Sequence, residues 1–401
     1  MLMSDLLADN DTRVTRSMRV APRSLTHELV DAANIPLKPW QELADRAVEP
    51  NVFYEPAWLR AVSDHASRYR GARALPAWDG PAKTRLLGMM PVWSAWRALR
   101  LPLPMLVSWQ AYAPLRTPLL DGETTDAAAH GLIDAAVGAG VEALSPPLQT
   151  IDGLAYRAMR RALKKRGFDC VVQNLHERAR LNTRADADTL LLGSLGAKKM
   201  KELRRQRNRL ADRGEVTLHI ASEPESVASA LETFLALEAS GWKGKRGTAL
   251  VQDEGDAAFI REAAQKLAER GEFEVLTLCA GSQAAAACLA IKSGRRAYFF
   301  KLAYDETESK TSPGVQITLD LTRHLCAGGG IEEVDSTADA NHPMIDHIWR
   351  DRLVLGDVFV PLTKSRARAS AIHAAFSLEQ RLYGRARAIV HKIRLLREKR
   401  K

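Results

Sequence analysis

The period of the apolar positions changes along this chain, and each change marks an element. The clearest stretch begins at Glu272. Glu272–Ala280 predicts a strand, Gly281-Ser282 a turn, Ala284–Ile291 a second strand, and Lys292–Arg295, with its Ser-Gly pair, a second turn. Arg296–Tyr304 predicts a third strand, so the three make an antiparallel meander. The period then switches: Pro313–Cys326 predicts a helix that stops at Gly328–Gly330, and Ile331–Asp335 predicts a strand. Strand, crossover helix and strand favour parallel neighbours. Ahead of the meander, Val216–Ile220 predicts a short strand. Glu225–Ser240 predicts a helix with Leu231, Phe234, Leu235 and Leu237 on or near one face. A Gly/Lys loop, Gly241–Gly247, leads to a helix over Ala257–Arg270.

The rest of the chain divides around this block. Residues 1–24 predict a disordered polar leader without the apolar core of a signal peptide. Residues 25–183 predict an α+β domain. Within it Leu86–Trp93 is apolar and β-prone, and the proline-rich run Leu101–Leu120 is extended with turns. Asp126–Ala143 and Gly153–Arg166 predict helices, and Phe168–Gln173 a strand. A second domain is expected over 184–363. It opens with a charged helical segment, 184–214, in which Met200, Leu203 and Leu210 form a narrow apolar stripe. Gly214 supplies the stop.

Composition changes the picture at one point. The net charge is +10, but Arg366–Lys401 holds eleven Lys/Arg against two Glu, a net of +9, which leaves the rest near +1. The basic character belongs to the tail, 364–401. There Leu382, Ala386, Ile389, Ile393 and Leu396 line one face of a helix expected to break or bend at Gly384. Such a helix suits an anionic membrane, its own core or a partner copy. Nucleic acid is not expected there, because Phe376 and Tyr383 are too few aromatics for base stacking. Eight basic residues also crowd 198–213, as a solvated face or a contact for tRNA or a phosphorylated lipid. Cys170, Cys279, Cys288 and Cys326 lie far apart with no metal-ligand spacing, so reduced buried thiols and no metal are expected. No apolar run approaches the roughly 20 residues of a spanning helix. The expected location is the cytoplasm, with peripheral contact at the inner membrane.

Candidate chemistry starts at Ser312-Pro313-Gly314. Ser suits an N-cap, Pro the first helical position, and Gly admits another molecule close to the backbone. The free amides and positive dipole end of such a helix start can seat a pyrophosphate. Transfer of an acyl group to an amine needs a base, and Asp335, Asp339, His342, Asp346 and His347 crowd one segment. His342 is the first candidate because its imidazole titrates near neutrality. Glu238, at the end of a helix before the loop with Trp242 and Lys243, is the other. No Ser/His/Asp or Cys/His spacing suggests a covalent intermediate.

This order of elements resembles the GNAT acyltransferase fold: α+β, a mixed sheet flanked by helices, and here tandem GNAT-like domains followed by the basic helix. Three stretches are similar to the CelD/BcsL-like branch, itself related to the tandem-GNAT Fem transferases. They are Glu238-Ala239-Ser240-Gly241-Trp242-Lys243-Gly244 with Gly247-Thr248-Ala249-Leu250; Tyr304-Asp305 through Ser312-Pro313-Gly314; and His342-Pro343 through His347-Ile348-Trp349. The usual Q/R-x-x-G-x-G/A loop is absent; Glu308–Gly314 stands in its place. The resemblance implies acetyl-CoA or a longer acyl-CoA as co-substrate, held by Phe300, Leu302, Tyr304, Ser312, Pro313 and Gly314. Trp242, Lys243 and Trp349 are the expected substrate contacts. It implies direct N- or O-acylation of a cell-envelope, polysaccharide or lipid precursor, a ceramide-synthase-like N-acylation of a sphingoid base included. A Fem-like aminoacyl-tRNA transferase and a non-catalytic assembly factor are the alternatives.

Overall fold

The computed structural model describes residues 29–398, with side chains to residue 382. The expected leader at 1–24 lies outside the described residues. So do most side chains of the expected tail stripe.

The N-terminal half runs β1 (Val30–Asp31), α1 (Leu37–Asp45), α2 (Pro56–His65), β2 (Arg73–Trp78), β3 (Leu86–Ser94), α3 (Ala95–Leu99), β4 (Met105–Ser108), β5 (Leu119–Leu120), α4 (Thr125–Gly138), β6 (Ala143–Ser145), β7 (Gln149–Thr150), α5 (Leu154–Lys165) and β8 (Val171–Asn182). The C-terminal half runs α6 (Ala187–Leu210), β9 (Val216–Ala221), α7 (Pro224–Ser240), α8 (Trp242–Lys245), α9 (Glu254–Ala268), β10 (Phe273–Ala280), β11 (Gln283–Ser293), β12 (Arg296–Tyr304), α10 (Pro313–Ala327), β13 (Glu333–Asp335), α11 (Ile345–Ile348), β14 (Asp351–Pro361) and α12 (Arg366–Glu398).

Among the described residues these strands form one mixed sheet with helices on both faces. The predicted meander is present: β10, β11 and β12 pair antiparallel, and β12 pairs parallel with β13. The two halves interlock. β8 leaves the first half and pairs with β13 and β14, while β14 also pairs with β6 of the first half. A division at residue 183 therefore separates β8 from every strand it pairs with. β8 also starts later and runs longer than the expected Phe168–Gln173. Its residues are mostly polar and only Arg178, Ala179 and Leu181 are buried, so no apolar pattern announced it.

The strongest packing joins the halves. Trp58 of α2 meets Phe259 of α9 at 5.5 Å and Phe300 of β12 at 4.8 Å, edge to face in both cases. Phe53 meets Tyr298 at 4.9 Å. Each fully buried aromatic of this kind contributes about 1.5–3 kcal/mol. On the opposite face α10 and α6 cover β10–β13. Leu203 and Leu210 are buried there and Met200 packs against them, as the stripe predicted. The helix α12 runs through Gly384, and its first turns dock by Ile372 and Phe376 on Phe359. Leu378 and Leu382 remain exposed. Of the cysteines only Cys288 is fully buried; the other three are half-buried, and all four are free. No described helix is long and apolar enough to cross a membrane, and no described group of His, Cys, Asp and Glu is set to hold a metal.

Candidate active site

The parallel pair β12–β13 is short. Arg296, Ala297 and Tyr298 face Glu333, Val334 and Asp335, and beyond Tyr298 the strands part. A bulge falls at the same point, where Leu289 faces Lys301 and Ala290 faces Phe299, leaving Phe300 unmatched. The edge of β12 from Phe299 to Tyr304 is thus open on the side away from β11. Thr337 takes the Phe299 carbonyl at 2.7 Å. The start of α10 lies directly on this edge. A Cβ at Gly314 would stand 3.2 Å from the Tyr304 ring and 3.3 Å from Leu302, so only glycine lets the helix start approach so closely. Leu302 and Tyr304 therefore meet Gly314, and Ser312 and Pro313 precede it at the start of the helix. Phe300 does not join them, because it packs on Trp58 at the seam with the first half.

The expected Ser312 cap is absent. Ser312 lies in the left-handed region (φ 51°, ψ 51°), and its hydroxyl makes no capping bond. Only its carbonyl serves the helix, accepting the Val315 and Gln316 amides. The first turn is left without a side-chain partner, which favours an external anion more than the expected cap would.

Across the edge, on the α7 face, stands a buried charge cluster. Glu238 closes α7 and is 2% exposed. Its Oε1 accepts Lys243 Nζ at 2.9 Å and Lys301 Nζ at 3.1 Å, and its Oε2 accepts the Leu250 amide at 2.9 Å. Burial alone would raise the Glu238 carboxyl, but Lys301 and Lys243 outweigh it and hold it below its usual range. Burial likewise lowers the Lys301 ammonium against the pull of Glu238. Lys243 also donates to the Leu302 carbonyl at 3.3 Å, on the open edge. The segment 241–248 crosses the mouth as a strap. Glu306 holds it by the Trp242 amide and by Lys245 Nζ at 3.0 Å. A Cβ at Gly244 would stand 1.7 Å from the Ala239 carbonyl, so the strap packs against α7 only because of that glycine. Trp242 is 45% exposed beneath Arg246 at 5.0 Å. With the strap in place, the cleft between Glu238, Lys243, Leu302 and Tyr304 keeps only about 20 Å³.

Two further features lie outside this cluster. Asp256 accepts Tyr112 at 2.5 Å and Arg68 at 2.9 Å, and its other oxygen is buried without a bond. A cavity of about 610 Å³ lies at the opposite end of β12, between Glu49, Arg180, Arg184, Arg296 and Glu333. Sequence reading missed Lys301, Asp256, Tyr112 and this cavity. Lys301 alone had a signal, a lysine inside the otherwise apolar run Ala297–Tyr304.

The segment after β13 behaves differently from expectation. Asp335 is 1% exposed and locked to Arg178, so it is a structural ion pair rather than a base. His342 Nδ1 faces the Met344 and Ile345 amides at 3.3 Å, a cap for α11. His347 is exposed, and Asp346 is half-buried with an unbonded Oδ1. Trp349 is fully buried and donates to Thr322 at 3.0 Å, so it is core and not a substrate contact. α11 packs on α6 and β8, and none of the bonds above links it to Glu238.

Residues 197–342 match the family described as an acetyltransferase (GNAT) domain. This segment is a GNAT domain. No curated protein matches the chain. Among solved structures, FemX aligns with a TM-score of 0.53 at 11% identity, over 85% of this chain and 97% of its own. The C-terminal domain of a putative lysylphosphatidylglycerol synthetase from Agrobacterium fabrum aligns with a TM-score of 0.52 at 12% identity, over 85% and 96%. These likenesses establish the shared fold across both halves. This GNAT segment supports an acyltransferase, and it holds both the open edge of β12 and the start of α10. The CelD/BcsL-like resemblance stands on the motif residues alone.

Proposed function

We propose that this GNAT protein moves an acyl group from acyl-CoA to a cell-envelope, polysaccharide or lipid precursor by direct attack on the thioester. One observation carries the reading: the open edge of β12 lies under the uncapped start of α10, joined through Gly314. Tyr304, Ser312, Pro313 and Gly314 would hold the phosphates and the adjoining arm, with Leu302 as an apolar wall. Glu238, rather than His342, would take the acceptor's proton, because Lys243 links it to the Leu302 carbonyl on that edge, and Lys243 and Trp242 belong to the strap that would meet substrate. Titration calorimetry with CoA, acetyl-CoA and a long-chain acyl-CoA tests this. Absence of binding by all three overturns it.

A second reading, an aminoacyl-tRNA donor, is favoured by one feature. Lys198, Lys199, Lys201, Arg204 and Arg209 are exposed along α6, which packs against α10 and the 306–311 turn. tRNA binding that falls steeply with salt would support it over the first. For the acceptor side, the basic tail suits an anionic inner-membrane surface on the cytoplasmic face. Because Ile372 and Phe376 are buried, the informative truncation removes residues 383–401 only. Unchanged binding to anionic liposomes would count against membrane contact.

A further inference from the structure

Lys243 bridges a buried carboxylate and the open edge of β12. Its ammonium lies 2.9 Å from Glu238 Oε1 and 3.3 Å from the Leu302 carbonyl. That carbonyl belongs to the open edge of β12, past the last pairing with β13 at Tyr298. From Tyr304 back to Phe299 the edge spans roughly 16 Å at the usual rise of a strand. A donor anchored at the start of α10, beside Tyr304, directs its reactive end along this edge past Leu302. Lys243 reaches the same edge from the α7 face, opposite α10. The seat it fills offers a carboxylate oxygen, shared with Lys301 Nζ at 3.1 Å, and a carbonyl oxygen. An ammonium, with three N–H groups, can satisfy both, whereas a hydroxyl has a single proton to give.

We propose that Glu238 Oε1 and the Leu302 carbonyl form the seat of the acceptor's nitrogen, that the acceptor is a primary amine, and that Lys243 fills this seat until the acceptor displaces it. The inference rests on the acyl-CoA reading above. The strap makes the exchange feasible, since Lys243 is carried between Gly241 and Gly247 and held at the mouth by Glu306. It follows that donor supplied without acceptor acylates Lys243 itself. The Lys243 ammonium gives a proton to Glu238, and its lone pair attacks the thioester carbonyl carbon. The C–S bond breaks as the amide bond forms. The leaving thiolate takes the proton from Glu238, and the second nitrogen proton goes to solvent.

Incubating the full-length protein with acetyl-CoA alone, followed by peptide mass spectrometry, tests this. Acetylation of Lys243 should outrun that of the exposed Lys198 and Lys199 by about tenfold or more, because Lys243 is held at the donor edge and they are not. Glu238→Gln should slow Lys243 labelling by about 100-fold, the scale of a lost proton acceptor. If circular dichroism finds Glu238→Gln unfolded, the ratio of Lys243 to Lys199 in the parent protein decides. Calorimetric binding of acetyl-CoA with Lys243 labelled no faster than Lys199 overturns this inference and leaves the acyl-CoA reading standing. No binding of acetyl-CoA overturns both.

Discussion

In the N-terminal half the strand that leads towards α4 is broken in two, whereas β12 in the C-terminal half is one strand, joined to α10 by the 305–312 turn. Both halves share the order of a three-stranded antiparallel meander, a helix and a parallel strand. In the first, β4 and β5 both pair with β3, and residues 109–118 loop out between them. That excursion is stitched to the neighbouring chain. The Arg116 amide bonds the Leu148 carbonyl at 3.2 Å, the Gln149 amide bonds the Arg116 carbonyl, and Thr117 meets Thr150 at 3.0 Å. Asn51 takes the Thr117 carbonyl at 2.7 Å. Just ahead of α4, Asp121 accepts the Glu123 and Thr124 amides and pairs with Arg46 and Arg85, although α4, like α10, has no side-chain cap. In the second half the corresponding edge has Lys243 on the Leu302 carbonyl and Thr337 on the Phe299 carbonyl, and among the described residues no side chain caps the helix start. One architecture thus yields a filled core or a slot, according to how far its own polar groups already meet the strand edge.

The largest expected effect breaks the open copy. Gly314→Val puts a branched side chain against Tyr304 and Leu302 and should push α10 off β12, weakening acetyl-CoA binding by about 100-fold. Calorimetry checks it, with circular dichroism to confirm the fold. Unchanged affinity would mean that the donor does not lie along this edge.

Next comes the seam between the copies. Glu55 begins α2, and its carboxyl accepts from Ser293 at the end of β11. Burial, with the nearby Glu272 charge, pushes its pKa up to about 7 against the ordinary 4.5. The folded chain therefore keeps a proton that the unfolded chain releases. This costs nothing below about pH 4.5, and stability falls as pH rises toward 7. Glu55→Gln should match the parent near pH 4 and exceed it by about 2–3 kcal/mol at pH 8. Urea unfolding at both pH values measures this; an equal difference at the two would sink it.

Much of the open copy was legible in the sequence, because its signals are local. The meander, the helix from Pro313 and the stop at the triple glycine each sit within a few residues of their cause. What was not legible depends on distant pairing. β8 carries a polar strand into the other half's sheet, and no window around residue 176 contains its partners at 333–335 and 351–359. The broken strand at β4–β5 was read as extended with turns, and its closure needs Asn51 and Gln149 from far away. At the site, Glu238 and Lys243 were visible through their motif, but Lys301 joins them across 63 residues. Asp335 looked like a base because Arg178, its partner, is 157 residues distant. Ser312 matched a capping pattern whose side-chain geometry the structure does not adopt.

A smaller effect tests the closed copy. Thr117→Val removes the bond to Thr150 in a fully buried position and should cost about 1 kcal/mol of stability. Acetyl-CoA affinity should stay within twofold, roughly the noise of one weak contact. A large loss of affinity would mean that the first half takes part in donor binding, and the contrast between the two copies would collapse.

The smallest expected effect separates a cap from a base. His342→Ala removes the imidazole that serves the Met344 and Ile345 amides, and should lower stability by about 1 kcal/mol. If the imidazole only caps α11, the rate of Lys243 acetylation from acetyl-CoA should change by less than about threefold. A true general base lost at this position would instead slow it by about 100-fold or more. The same readout with Glu238→Gln supplies the opposite expectation. The pair of rates therefore decides whether the proton leaves through the α7 face of the open edge or through the segment that follows β13.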